Sequence, residues 1–137
     1  MAALTEDRNT MRKDGKVIPL PVVANDCIFG GSLTAVNAAG YLNPGSDTAG
    51  LIFAGVADDR ADNTGGAAGD INCNVRRHGL YLFAIAAATV ANIGDDAYLV
   101  DDQTVGLAAT TTNDIKCGTI WGVESATSVW VDIGTAF

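Results

Sequence analysis

Hydrophobic and polar positions alternate over short stretches along most of this chain, and no long helical period interrupts them. Ile71-Asn72-Cys73-Asn74-Val75-Arg76 alternates cleanly, which predicts a strand with Ile71, Cys73 and Val75 on its buried face. Ser128 to Ile133 does the same: Val129, Val131 and Ile133 share one face, and Trp130 and Asp132 the other. Ile115 to Val123 pairs with it as the last strand pair. Asp96–Val100, Asp101-Asp102-Gln103 and Thr104–Leu107 read as a hairpin. Leu51 to Ala57 and Leu80 to Ile85 are nearly unbroken apolar runs, the pattern of buried strands.

Towards the N-terminus, Lys16 to Val23 is extended, and its alternating Pro19 and Pro21 confine it to a sheet edge or a polyproline-like lead-in. Cys27–Phe29, Leu33–Val36 and Tyr41-Leu42 are further short strands. They are separated by Gly30-Gly31, by Asn37 to Gly40 and by an expected turn at Asn43-Pro44-Gly45-Ser46. Asn63 to Gly69 reads as a flexible loop, and alanine-rich Ala86 to Val90 as one helical turn. About eight short strands with Gly, Asn and Asp turns predict an all-β fold: a small β-sandwich or partly open β-barrel, jelly-roll or β-tulip in type. Strand order does not follow from periodicity.

Charge divides the chain. Residues 1–16 hold Arg8, Arg12, Lys13 and Lys16 for a net +1, while residues 17–137 carry −9, within a total of −8. The first segment is polar and aperiodic and reads as an extended N-terminal arm; residues 17–137 read as a single all-β domain. The 137 residues suit one domain. Apolar residues at 48% and charged residues at 18% exclude a largely disordered chain. The acidic balance argues against a nucleic-acid partner, which needs clustered Lys and Arg. No uninterrupted apolar stretch is long enough to span a bilayer, so no membrane partner is expected, and the first 16 residues lack the apolar core of a secretory signal. Few Lys and many Gly and Ala fit a surface that packs closely against others.

Catalytic chemistry has little to stand on. His78, the only histidine, lies in Arg76-Arg77-His78-Gly79 at an expected strand corner, with no nucleophile elbow to serve. Asp58-Asp59, Asp95-Asp96 and Asp101-Asp102 lack the spacing of a calcium loop and read as solvated turn acids. Cys27, Cys73 and Cys117 are too widely spaced for a zinc site and read as small core thiols. No enzyme activity, metal or cofactor is expected. Arg76-Arg77 is the only basic pair of the body, suited to an acidic partner surface or to cross-strand aspartates. Trp130 alternates away from the Val129/Val131 face, so if that face is core, Trp130 is exposed and marks an interface. Phe137, with Trp121 and Trp130, belongs to the same aromatic C-terminal region.

The order of several short motifs carries a further implication. An arm of the form A-x-L-T-x-D-R-x-T-x-R leads to Gly31-Ser32-Leu33 with Asn37-Ala38-Ala39-Gly40-Tyr41. The Gly55 to Gly69 segment follows, then Val75-Arg76-Arg77, Ile93 to Val105, Gly118 to Glu124 and Val129 to Ile133. This order resembles the small head decoration, or cement, proteins of tailed bacteriophages and prophages. The resemblance implies a structural virion protein, made in the host cytoplasm, on the outer surface of the capsid. There it would clamp neighbouring copies of the major capsid protein, as a homo-oligomer with a trimer favoured over a dimer. Leu4, Thr5, Arg8, Met11, Arg12 and Lys13 would form the capsid-binding arm, and Arg76, Arg77, Trp130 and Phe137 a subunit or capsid interface. The alternative is a tail, fibre or carbohydrate-binding β-sandwich module, with Tyr41, Tyr81 or Trp130 as a sugar platform.

Overall fold

The computed structural model describes residues 2–137. Twelve strands and two 3-10 turns make up its regular structure, so the all-β expectation holds. β1 (Val17–Pro21), β3 (Leu33–Val36), β4 (Leu42–Pro44), β5 (Ile52–Ala57) and β7 (Asn72–Arg76) form an antiparallel sheet in the order β1-β7-β5-β3-β4. β2 (Cys27–Ile28) and β6 (Ala61–Asp62) form a two-stranded ribbon. β8 (Leu80–Ile85), β9 (Asp96–Leu99), β10 (Thr104–Gly106), β11 (Lys116–Ser125) and β12 (Ser128–Asp132) close into a five-stranded barrel, β10-β8-β12-β11-β9. Its single parallel pair is β8–β10.

The sheet's central strands β3 and β5 are buried on both faces, whereas β7 buries one. Leu33, Ala35, Phe53 and Val56 share one core with the barrel residues Phe83, Ile85, Leu99, Ile120, Val129 and Val131. Val22, Ile28, Leu42, Ala54, Ala61, Cys73 and Val75 form a second core on the ribbon side. Two-sided burial is why β5 reads as an unbroken apolar run. Its two faces are kept in register by a bulge: Thr34 pairs with Gly55 and Ala35 with Phe53, leaving Ala54 as the extra residue. Phe53 and Val56, three apart, therefore both point at the barrel. Gly55 sits at φ +143°, and a β-carbon there would collide with the Arg76 carbonyl oxygen.

β1 occupies the sheet edge, as its prolines demand. Immediately after it the Val22 N–H donates to the Ile71 carbonyl and the Val23 N–H to the Leu42 carbonyl, both at 3.0 Å. The resulting Val22–Leu42 bridge ties the chain leaving β1 to β4 at the opposite edge.

Three local expectations are corrected. Asn43 and Pro44 belong to β4 rather than to a turn: Pro44 lies opposite Thr34 at the sheet's end, where its missing N–H is no loss. The chain bends afterwards, with the Gly45 N–H donating to the Leu33 carbonyl at 2.8 Å. The helical turn falls later than Ala86–Val90, at Val90–Asn92, because the Asn92 side chain accepts from the Thr89 N–H and fixes the start there. The 63–69 loop is pinned rather than loose. Buried Asn63 donates to the Val23 and Ala67 carbonyls at 3.0 and 2.9 Å, and Asn25 and Asp70 accept from the Gly65 and Ala67 N–H groups.

Candidate interaction surfaces

The arm leaves the body at a defined point. The Lys16 carbonyl accepts from the Arg77 N–H at 2.9 Å, and Val17 pairs with Arg76, so the edge strand anchors the arm at the corner between β7 and β8. Before that corner, residues 2–14 are exposed and form no strand. Leu4 and Met11 are 71% and 95% exposed. Thr5, Arg8, Arg12 and Lys13 are also exposed, and the three bases make no ion pair among the described residues.

The four body residues expected at an interface fall in three places. The Arg76 guanidinium is paired with the Asp58 carboxylate, and this hydrogen bond, reinforced by the charge attraction, raises the arginine's pKa. Arg76 thus takes the cross-strand partner that was one of its two expected roles. It lines an open groove at the seam between sheet and barrel, together with Tyr81 and Leu82. Arg77 instead lies over the Phe137 ring, 4.2 Å from its centroid, and Phe137 stacks on Phe53 at 5.6 Å. These two named residues therefore meet, against Phe53 of the sheet. Phe137 remains half-exposed.

Trp130 lies on the outer face of the barrel, as its alternation predicts, and is 37% exposed. Its register neighbours are Leu82 on β8 and Gly122 on β11. The indole packs over Gly122, and its Nε1–H donates to Glu124 Oε2 at 3.0 Å, which fixes the ring against the sheet. Leu80, Leu82 and Trp121, all about half-exposed, extend this apolar face. The run Leu80 to Ile85 hid the first two, since an apolar run names no outer side. Trp121 is displaced outward by a bulge between Ile120 and Gly122. Tyr41 and Tyr81 do not join Trp130: Tyr41 packs beside Gly69, and Tyr81 packs on Phe83 and donates to the His78 carbonyl at 3.1 Å.

The remaining candidates are occupied structurally. Asp101 accepts from the Gln103 N–H, Asp95 from Asn92, and Asp96 pairs with Lys116 at 3.2 Å. Among the described residues no three His, Cys, Asp or Glu side chains are grouped to hold a metal ion. Burial pushes the Cys73 thiol up to about 11, with nearby Asp59 adding to it, and the Cys117 thiol up to about 12. At neutral pH both are protonated and unreactive. Among the described residues no helix is long and apolar enough to cross a membrane.

Comparison with protein-family models, with curated proteins and with solved structures finds no match for this chain.

Proposed function

We propose that this chain is a structural, non-enzymatic virion protein that binds the outer surface of a phage capsid and holds neighbouring major capsid subunits together. The observation that carries the reading is the exposed, cationic arm anchored by a sheet edge to a compact acidic body. An extended segment with free backbone groups can add a strand to a partner's sheet, and it orders as it binds. Its bases favour an acidic shell, and the acidic body is left facing solvent. Many identical copies on one shell supply avidity, so modest affinity per site suffices. The ordered motifs that resemble head decoration proteins support the same conclusion.

Deleting residues 2–14 tests it. The truncated protein is expected to keep the far-ultraviolet dichroism of the full chain and to lose capsid co-sedimentation. Undiminished binding by the truncated form would refute the arm mechanism. In purified particles the 14.0 kDa chain should approach one copy per major capsid subunit. A handful of copies per particle would instead indicate a tail or portal accessory. The fixed, half-exposed Trp130 favours a second reading, a carbohydrate-binding module, which binding on a glycan array would support.

A further inference from the structure

One end of the barrel holds an apolar pocket that nothing in the chain fills. Its walls are Ile85, Ala86 and Ala87 at the end of β8, Val100 before the β9–β10 turn, and Val105 and Leu107 beyond it. Its volume is about 230 Å³. Small-molecule sites run roughly from 300 to 1,000 Å³ and carry several convergent polar groups, so this pocket is scaled to one side chain rather than to a cofactor. Asp101 is exposed and follows the lining residue Val100 directly in the turn, where its carboxylate accepts from the Gln103 N–H.

The same chain presents a matching knob. Met11 is 95% exposed and is followed at once by Arg12 and Lys13, neither of them paired among the described residues. Methionine is unbranched and adapts to irregular apolar gaps. The bases beside it complement exposed Asp101, next in sequence to the lining residue Val100, and the −9 charge of the body. Met11 lies five residues before the anchor at Lys16, so it reaches up to about 18 Å from the body when extended, far enough to meet a molecule packed alongside. Met11 is free of its own pocket, so the occupant is not the chain's own arm in this conformation.

We infer that the barrel-end pocket receives Met11 from the arm of a second copy, with Arg12 and Lys13 against Asp101. Knob and pocket lie on different parts of the molecule, so the contact is head-to-tail and closes into a ring when the rotation between copies permits. The inference refines the arm's role under the capsid reading: residues 11–13 engage the neighbouring copy, and residues 2–8 project beyond it. It is tested without capsids, so its failure and the failure of that reading are separable.

The full chain, Met11→Asp and Ala87→Asp are compared by sedimentation velocity at micromolar concentration and low salt, with circular dichroism confirming that each is folded. The full chain is expected to sediment as a closed oligomer and each variant as a 14.0 kDa monomer. An equimolar mixture of the two variants should give a 1:1 dimer and nothing larger. In that mixture one intact arm meets one intact pocket, and the other pair is blocked on both sides. A monomeric full chain overturns the inference. So does an oligomer that survives Met11→Asp, which would place the self-contact elsewhere, with the Trp130 face the first to examine. If Ala87→Asp disturbs the fold, Asp101→Lys replaces it, and loss of the oligomer with recovery on pairing to an Arg12→Asp, Lys13→Asp chain is the supporting result. Loss without recovery overturns the charge contact and with it the stated docking.

Discussion

Single residues carry much of this fold's precision, Gly55 above all. Its φ of +143° is a conformation side chains rarely adopt, and the Arg76 carbonyl occupies the space of a β-carbon. Gly55→Ala is therefore expected to destabilise the protein by about 2 kcal/mol or more. Gly50 at φ +85° has open space around it, so Gly50→Ala should cost less, about 1 kcal/mol, from backbone strain alone. Urea unfolding of both variants measures the difference. Residue-scale features divide sharply in how they show in the sequence. Trp130's exposure was legible, because Val129 and Val131 name the inner face of its strand. Leu80 and Leu82 were not, since their neighbours Tyr81 and Phe83 are apolar too. The pinning role of Asn63 was hidden in what read as a glycine-rich loop, because its partners Val23 and Ala67 depend on how the chain folds back.

At the scale of elements, β2 and β10 were readable despite their shortness, but β6 and the end of β4 were not. Two-residue β6 has no period to detect, and Pro44 disguised β4 as a turn. The bulge in β5 escaped notice because it depends on pairing with Thr34 and Ala35. Contacts between distant elements were equally silent, and the clamp made by Asp47 is the clearest case. This residue follows β4 and accepts from the Thr112 and Asn113 N–H groups at 2.8 and 2.9 Å, fastening the loop before β11 to the sheet. These bonds hold its carboxyl below the usual value of 3.8. A carboxyl whose pKa is lower folded than unfolded stabilises the fold above the unfolded pKa and loses that contribution as pH falls through the folded one. Asp47→Asn should accordingly lower the melting temperature at pH 7. The gap between variant and parent should narrow only below pH 3.8, where the parent carboxyl takes up its proton. A gap independent of pH down to 2 would show that the carboxylate's charge is not what fastens the loop.

The whole molecule is two β assemblies sharing one core. Leu33 and Phe53 come from the sheet, yet their neighbours include Ile120, Val129 and Val131 of the barrel. Neither half can lose its packing without exposing the other, so thermal unfolding should show one transition by dichroism and by calorimetry alike. Leu33→Ala, at a fully buried position, should lower stability by about 2–5 kcal/mol and leave the transition single. Separate transitions for the two halves would contradict this. The all-β class was legible from alternation, but the sheet–barrel division was not: it arises from strand pairings such as β1 with β7 and β8 with β10, which periodicity does not encode.

The bridge from Val22 to Leu42 has a consequence for crowding. A β protein at high local concentration risks polymerising edge to edge, because an open strand offers its unpaired backbone to the next molecule. Here the barrel has no open edge, β1 is interrupted by two prolines, and the bridge stitches the chain beyond β1 to the three-residue strand opposite. The sheet and the barrel are thereby guarded against edge-to-edge pairing, while the arm remains open to pair. Among the described residues the arm is a segment free to lend its backbone, and it is the one that reaches outward.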